Sequence, residues 1–325
     1  MRLFALDQTR EFGERVAAAL GRELDPHEER DFEDGEHKAR PLISVRGEDV
    51  YVVQSLHGGP DQSGNDKLCR LLFFIGALRE HGARRVTAVI PYLAYSRKDR
   101  QTKPRDPVTT RYIAQLFEAL GTDTVMTLDV HNIAAFQNAF RCHTEHLDTR
   151  RLFAERALDI AGSGPVVVAS PDPGGVKRAQ LFRETFEEML GRPVGGAYME
   201  KRRSAGKVTG THLAGEVEGA TVLVIDDLIA SGGTMTRAAE ACLNAGARSV
   251  HAFAAHGLFT GGAEKSIADP RLARVFITDT VPPFRLDRQV LNEHVEIISA
   301  APLFAEAIRR CHENGSMISL LEGEA

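Results

Sequence analysis

Short, largely apolar runs alternate along this chain with longer stretches in which apolar side chains return every third or fourth position. The runs Val50–Gln54, Val86–Ile90, Val125–Leu128, Val166–Ala169, Val222–Ile225 and Val250–Ala254 predict strands buried on both faces. The helical spacing predicts helices over Thr9–Leu20, Lys67–His81, Thr109–Ala119, Val176–Leu190 and Thr234–Ala245. Gly246 follows the last of these and supplies a C-terminal stop. Strand and helix alternate throughout, the pattern of a mainly parallel sheet flanked by helices.

The two halves echo one another. A strand followed by proline and a polar loop occurs as VIPYLAYSRKD and again as VVASPDPGGVKR. The spacing Thr-Val-three residues-Asp occurs at Thr124–Asp129 and again at Thr221–Asp226. This reads as a duplicated α/β unit, with the boundary near residues 145–165 and the stretch Ala161–Pro165 as linker. The 325 residues give each unit enough chain to bury its own core. We therefore expect domains at 1–150 and 151–325, with a last helix free to pack back on the first.

Composition narrows the partners. The hydrophobic fraction of 43% and charged fraction of 26% are those of a globular protein in water. A net charge of −5 without a block of like charges speaks against a nucleic-acid binder. The basic clusters SRKDRQTKPR and EKRRSAGK are short and suit a polyphosphate better than a duplex. Cys69, Cys142, Cys242 and Cys311 are scattered without CxxC pairing, which predicts a reducing compartment. No leader-like apolar core is seen at MRLFALDQTR, and the longest apolar run, around Leu71–Leu78, is too short for a bilayer. The expectation is a cytoplasmic protein with no membrane partner.

The most informative stretch is VLVIDDLIASGGT, Val222–Thr234. Residues just past a buried strand sit at the crevice where open α/β sheets bind ligands. Gly232 and Gly233 let backbone N–H groups close around an anion, Ser231 and Thr234 add hydroxyl donors, and a helix then presents its positive end. A phosphate fits there. Asp226 and Asp227 would repel it, and suit the vicinal hydroxyls of a sugar instead. The ligand implied is a ribose 5-phosphate unit. The plainer alternative is a strand–turn–helix corner with solvated acids. No matching turn follows Asp129, so the first half is expected to do another job.

A second loop, SPDPGGVKRA, places Gly174 and Gly175 where backbone N–H groups can meet an oxyanion, beside Asp172. On local grounds alone it could be a plain Pro/Gly turn. His131 in TLDVHN could likewise be a packed histidine, and the KRR of Lys201–Arg203 a solvated charge run.

These segments together resemble one family. The acid pair and glycine turn are similar to the type I phosphoribosyltransferase signature. FEDGE at Phe32–Glu36, VIPYLAYSRKDR at Val89–Arg100, TLDVHN at Thr127–Asn132, SPDPGGVKRA at Ser170–Ala179 and KRR at Lys201–Arg203 resemble motifs of the ribose-phosphate pyrophosphokinase (phosphoribosyl pyrophosphate synthetase) family. They occur in the family's order and cover the chain from Leu3 onward.

The resemblance implies two tandem phosphoribosyltransferase-like domains, the first binding ATP and serving assembly, the second binding ribose 5-phosphate. It implies an Mg2+-dependent transfer of the β,γ-diphosphate of ATP to the C1 hydroxyl of that sugar. It places Lys201 and Arg203, on a loop that closes over the site, as catalytic cations, with His131 at the metal–ATP end. Asp226, Asp227, Ser231, Gly232, Gly233 and Thr234 would hold ribose 5-phosphate. Phe32, Asp34, Glu36, Arg97, Lys98, Asp99, Arg100 and His131 would serve ATP, with FEDGE supplied by a neighbouring subunit. The loop Asp172, Gly174, Gly175 would meet the transferred diphosphate. Asp172 and His131 would be the metal's residues, although imidazole is a poor magnesium ligand and suits a phosphate contact better.

Two positions depart from the family pattern. Ala230 stands where a further Asp is common, which puts any role of that Asp as base in doubt and leaves it to Asp226 or Asp227. Lys98 replaces a common Gln, so adenine contacts would differ. The family assembles dimers into larger rings regulated by phosphate or nucleoside diphosphate, and Arg46 and the C-terminal SMISLL sit near where such contacts lie. Three rivals stay open. A plain phosphoribosyltransferase would not need SRKDR and FEDGE; a regulatory subunit would lose site residues that are present here; another phosphorylated ribose acceptor is not excluded.

Overall fold

The computed structural model describes residues 1–204 and 207–323, with the side chains of 201–211 excepted. The chain forms two compact units, Met1–Asp148 with Ala300–Ala325, and Thr149–Ser299. The stretch Ala161–Pro165 is not the linker expected. It lies inside the second unit, between a helix ending at Ala161 and a strand starting at Val166.

In the first unit, β1 (Arg2–Ala5) is followed by α1 (Arg10–Ala19) and the hairpin β2 (His27–Asp31)–β3 (His37–Pro41). Then come β4 (Asp49–Val53), α2 (Gly64–Glu80), β5 (Arg85–Ile90), α3 (Thr109–Ala119), β6 (Thr124–Leu128), α4 (Ile133–Ala139) and β7 (His143–Leu147). The sheet order is β1-β4-β5-β6-β7, with every pairing parallel. After β4 each crossover steps in the same direction. Right-handed crossovers of that kind carry their helices to one face. Leu71, Ile75 and Leu78 of α2, with Ile113 and Phe117 of α3, accordingly share a core with Val50, Val52, Val86 and Ala88.

The second unit starts with α5 (Arg150–Ala161), β8 (Val166–Ser170), α6 (Val176–Leu190), β9 (Gly195–Ser204) and β10 (Lys207–Ala214). It continues through β11 (Thr221–Ile229), α7 (Gly233–Asn244), β12 (Ser249–Gly257), α8 (Ala263–Ile267), β13 (Arg274–Thr278), α9 (Arg288–His294) and β14 (Val295–Ile298). The sheet order is β10-β9-β8-β11-β12-β13-β14. From β8 the chain crosses through α6 to β9 on one side, whereas from β11 it crosses through α7 to β12 on the other. The winding therefore reverses between β8 and β11. Neighbouring residues of β11 confirm two covered faces: Val222 and Val224 pack with Met235 and Ala239 of α7, and Leu223 and Ile225 pack with Phe182 of α6. Open α/β sheets bind ligands at such a reversal. The first sheet has none among its five strands.

After β14 the chain returns to the first unit as α10 (Ala301–Glu313) and α11 (Met317–Glu322). The face of the first sheet not served by α2 and α3 needs cover. There α1 and α10 meet, Phe12 packing edge-on against Phe304 at 5.5 Å. The end of α10 is pinned by polar groups. Asp49, buried in β4, accepts two bonds from Arg85, at 2.7 and 2.5 Å, and lies 2.7 Å from His312 Nδ1. Arg85 also donates to the Cys311 carbonyl at 2.9 Å. Burial alone would raise the Asp49 carboxyl; Arg85, then His312 and Tyr51, overcome it and hold it below the usual aspartate range. The folded value being depressed, this stabilisation is present above the ordinary aspartate pKa and lost as pH falls through the depressed one. Replacing Arg85 by Met strands a buried carboxylate, and denaturant titration should show a loss of about 3 kcal/mol.

Candidate active site

The second unit carries the residues expected to hold the sugar phosphate. β11 runs through Ile229, past the Ile225 expected from the apolar run, because its backbone stays paired with β12 as far as Ile229↔Gly257. Its pairing with β8 stops at Val224↔Ala169. Beyond Val224 the β8 side is open, and Asp226 and Asp227 stand at that opening. They are thus strand residues rather than residues just past a strand, and the crevice opens at their level.

The two acids differ in setting. The Asp227 residue is buried and Asp226 is half-buried. Asp226 Oδ1 accepts the Asp227 N–H at 2.9 Å. Arg178 of α6 places Nη1 3.2 Å from Asp227 Oδ1 and 3.5 Å from Asp226 Oδ1. Removal from water, then the charge of Asp227, push the Asp226 carboxyl well above the ordinary aspartate range, against the pull of Arg178. An ionised carboxylate accepts from two hydroxyls more strongly than a protonated one. Affinity for a vicinal diol should therefore be full above that raised value and fall as pH drops through it. Calorimetric titration with ribose 5-phosphate in neutral and acidic buffers checks this, and an affinity independent of pH would contradict it.

Past the acids, Ala230 leads into the glycine turn. Gly232 is left-handed at φ 79° and caps α7 without any side-chain bond to the helix's first N–H groups. A Cβ there would stand 2.6 Å from Ser266 Cβ. The uncapped N–H groups of this twelve-residue helix meet the exposed Ser231 and the half-buried Thr234, an arrangement that suits an anion. Arg237, one turn further, donates to Thr234 Oγ1 at 3.3 Å and brings a cation to the same mouth. Neither Arg178 nor Arg237 was singled out from sequence. Arg178 sits in the SPDPGGVKRA run, but nothing local ties it to acids 48 positions on.

The loop after β8 stands on the same unit. Asp172 Oδ1 accepts from Gly174 N at 2.9 Å and Gly175 N at 3.1 Å, closing the turn Pro173–Gly175 from which α6 starts. A Cβ on Gly175 would meet Ser170 Oγ at 2.7 Å, so the tight turn requires glycine. The backbone N–H groups of both glycines are thus spent on Asp172 here, rather than pointing outward at an anion as the spacing suggested. The expected catalytic cations lie further along. Lys201 and Arg203 fall within β9, whose pairing with β8 ends at Ser170↔Tyr198. Their side chains lie outside the described residues. The expected loop is, in its described backbone, the antiparallel pair β9–β10.

The first unit holds the other candidates. SRKDR and TLDVHN meet directly: Asn132, which caps α4, donates to Asp99 Oδ2 at 2.7 Å. Asp129 turns the chain at φ 38°, and the exposed His131 precedes that cap. Asp99 is therefore a structural partner in this loop. Arg97, Lys98 and Arg100 are exposed, and among the described residues their side chains make no hydrogen bond or ion pair. FEDGE forms the tip of the β2–β3 hairpin, with Asp34 accepting from Glu36 N at 3.1 Å and Phe32 under Arg30 at 5.2 Å. Phe32, Asp34 and Glu36 are all exposed. The cleft of about 550 Å3 behind the turn is lined by Asp31, Asp61 and Asp66 with Arg70. That acid excess disfavours a triphosphate in this cleft.

Comparison with known proteins gives these parts a common context. Residues 1–121 match the N-terminal domain of ribose phosphate pyrophosphokinase, and residues 197–322 match the phosphoribosyl synthetase-associated domain. The ribose-phosphate pyrophosphokinase of Caldanaerobacter subterraneus subsp. tengcongensis is 36% identical over 98% of this chain and 97% of its own. That of Agrobacterium fabrum is 35% identical over 99% and 100%. Phosphoribosylpyrophosphate synthetase from Mycobacterium smegmatis superposes with a TM-score of 0.86 at 31% identity, over 97% of this chain and 99% of that one. Among the described residues no helix is long and apolar enough to cross a membrane. Identity at this level, sustained end to end and carried by the same α/β architecture, means that the chain belongs to the ribose-phosphate pyrophosphokinase family.

Proposed function

We propose that this chain transfers the β,γ-diphosphate of ATP to the C1 hydroxyl of ribose 5-phosphate, giving 5-phosphoribosyl 1-diphosphate and AMP. The carrying observation is the opening beside β11, where an acid pair and an uncapped helix start stand a few residues apart at the reversal of the sheet. The helix start takes the 5-phosphate and Asp226 and Asp227 take the ring hydroxyls. In the transfer, the C1 oxygen attacks the β-phosphorus and the bond from that phosphorus to the oxygen of the α-phosphate breaks. AMP departs with that oxygen, and the hydroxyl proton passes to one of the acid pair. The raised setting of Asp226 makes it a stronger base for that proton than an ordinary aspartate.

Phosphoryl chemistry of this kind depends on positioning and on cations around the moving group. Lys201 and Arg203 are assigned to that group, and Arg97, Lys98 and Arg100 to the ATP phosphates. Phe32, Asp34 and Glu36 serve the adenine end. Mg2+ fits the donor set: Asp172 spends Oδ1 on its own turn, and among the described residues nothing bonds Oδ2, leaving a hard oxygen for a dication. His131 is assigned to a phosphate oxygen beside it. When bound, the ion neutralises charge on the diphosphate. We place the protein in the cytoplasm as a homo-oligomer.

The reading is tested by incubating purified protein with ATP, Mg2+ and ribose 5-phosphate and following AMP by chromatography. AMP formed only when the sugar is present supports it. AMP absent, from protein that still binds ATP, would discard it in favour of a different phosphorylated ribose or a regulatory subunit.

A further inference from the structure

We infer that Arg178 is the residue that positions the sugar-binding acid pair and links it to the diphosphate loop, an inference that rests on reading this crevice as the ribose 5-phosphate site. Successive residues of a strand send their side chains to opposite faces. Asp226 and Asp227 are successive residues of β11, yet one nitrogen, Arg178 Nη1, lies 3.5 Å from an oxygen of the first and 3.2 Å from an oxygen of the second. The guanidinium draws together two carboxylates that would otherwise diverge and repel.

Its location in the chain is unusual for a cation. Arg178 lies in the first turn of α6, which starts at Val176. Helix N-termini carry positive partial charge and disfavour basic side chains. A partly enclosed arginine there, with 20% of its side chain exposed, is supported by the acids it faces. The same group borders the diphosphate loop, since a Cβ on Gly175 would stand 3.9 Å from Arg178 Nη1. One guanidinium thus touches the diol acceptors and lies against the backbone of the loop assigned to the diphosphate. Lysine can offer only a point charge where arginine offers a fork. Arg178 is accordingly a positioning residue for the acid pair, with its charge adjacent to the group that moves.

Arg178→Met and Arg178→Lys, each verified as folded by thermal melting, separate this role from others. Calorimetry without ATP should show ribose 5-phosphate affinity reduced roughly ten- to a hundred-fold in Arg178→Met, the range for losing bonds to charged groups. Arg178→Lys should recover part of that loss. In steady state the KM for the sugar should rise more than kcat falls. Unchanged sugar affinity in Arg178→Met would overturn the inference, as would a kcat loss with the KM unmoved. Should Arg178→Met fail to fold, Arg178→Lys alone decides: sugar affinity equal to wild type overturns the inference, and a measurable loss in a folded protein supports it. Wild-type protein that binds no ribose 5-phosphate would instead sink the functional reading on which this rests.

Discussion

Gly232→Ala should cost the protein its hold on ribose 5-phosphate. Two penalties fall on that one methyl. The backbone is left-handed at φ 79°, a conformation that costs an ordinary residue about 1–2 kcal/mol. The new Cβ would also lie 2.6 Å from Ser266 Cβ, a contact that only backbone movement relieves. Overpacking of this kind adds about 1–3 kcal/mol. Either the second unit is destabilised by about 2 kcal/mol or more, or the turn shifts and its N–H groups leave the anion. In the first case the melting temperature falls, and in the second the sugar phosphate affinity drops by on the order of a hundredfold. Gly233→Ala is the matched control. Its Cβ meets the mobile end of Arg237 at 3.3 Å and Ser231 Oγ at an ordinary 3.9 Å, with no positive φ, so its melting temperature should stay near wild type. Calorimetry and thermal melts of the two variants side by side decide the point; equal behaviour would remove the special status of Gly232.

The second large effect concerns turnover. Lys201→Ala should lower kcat by on the order of 10² to 10³, the usual loss when one charge-stabilising group is removed from a transition state. The strand layout supports the assignment. β9 is parallel to β8 and loses it as partner after Tyr198, yet continues to Ser204. At about 3.3 Å per residue, the strand runs on well past the C-terminal edge of the sheet, the edge where ligands bind. Ribose 5-phosphate affinity should hardly change, because the acid pair and the glycine turn are untouched. A Lys201→Ala enzyme with near-normal turnover would remove the residue from the mechanism.

Much of the scaffold was legible because buried parallel strands have little choice of composition. β4, β5, β6 and β8 are buried at nearly every position, and each reads as a largely apolar run. The helices Thr109–Ala119 and Val176–Leu190 carry enough periodicity to fix both ends. Where the reading fell short, backbone pairing decided the structure rather than side-chain pattern. β11 continues through two acids because β12 still pairs with it, and two charges in a strand look like its end. The hairpin of FEDGE is a pair of polar strands, HEERD and HKARP, without an apolar face to announce them. The start of α2 was placed at Lys67, although Ser63 and Asp66 form a capping box that puts it at Gly64. The linker was sought at a glycine-containing turn, but contacts rather than composition define the units.

The site divides in the same way. Residues set by backbone geometry or local motif, such as the left-handed Gly232 and the turn-closing Asp172, carry a signal in spacing. Arg178 could not, since its partners are brought to it only by the parallel pairing of β8 with β11. Asp99 was read as a nucleotide residue, and in the structure it is bonded to Asn132. Its backbone neighbours Arg97, Lys98 and Arg100 keep the charge that the loop has to offer.

The most direct test of the account is the phosphorus NMR spectrum of the reaction of wild-type protein with ATP, Mg2+ and ribose 5-phosphate. The account predicts AMP and a sugar carrying a diphosphate at C1 together with its 5-phosphate, in equal amounts and in the absence of ADP. ADP accompanied by a singly phosphorylated C1, or AMP with free diphosphate and unchanged sugar, would contradict diphosphate transfer to ribose 5-phosphate.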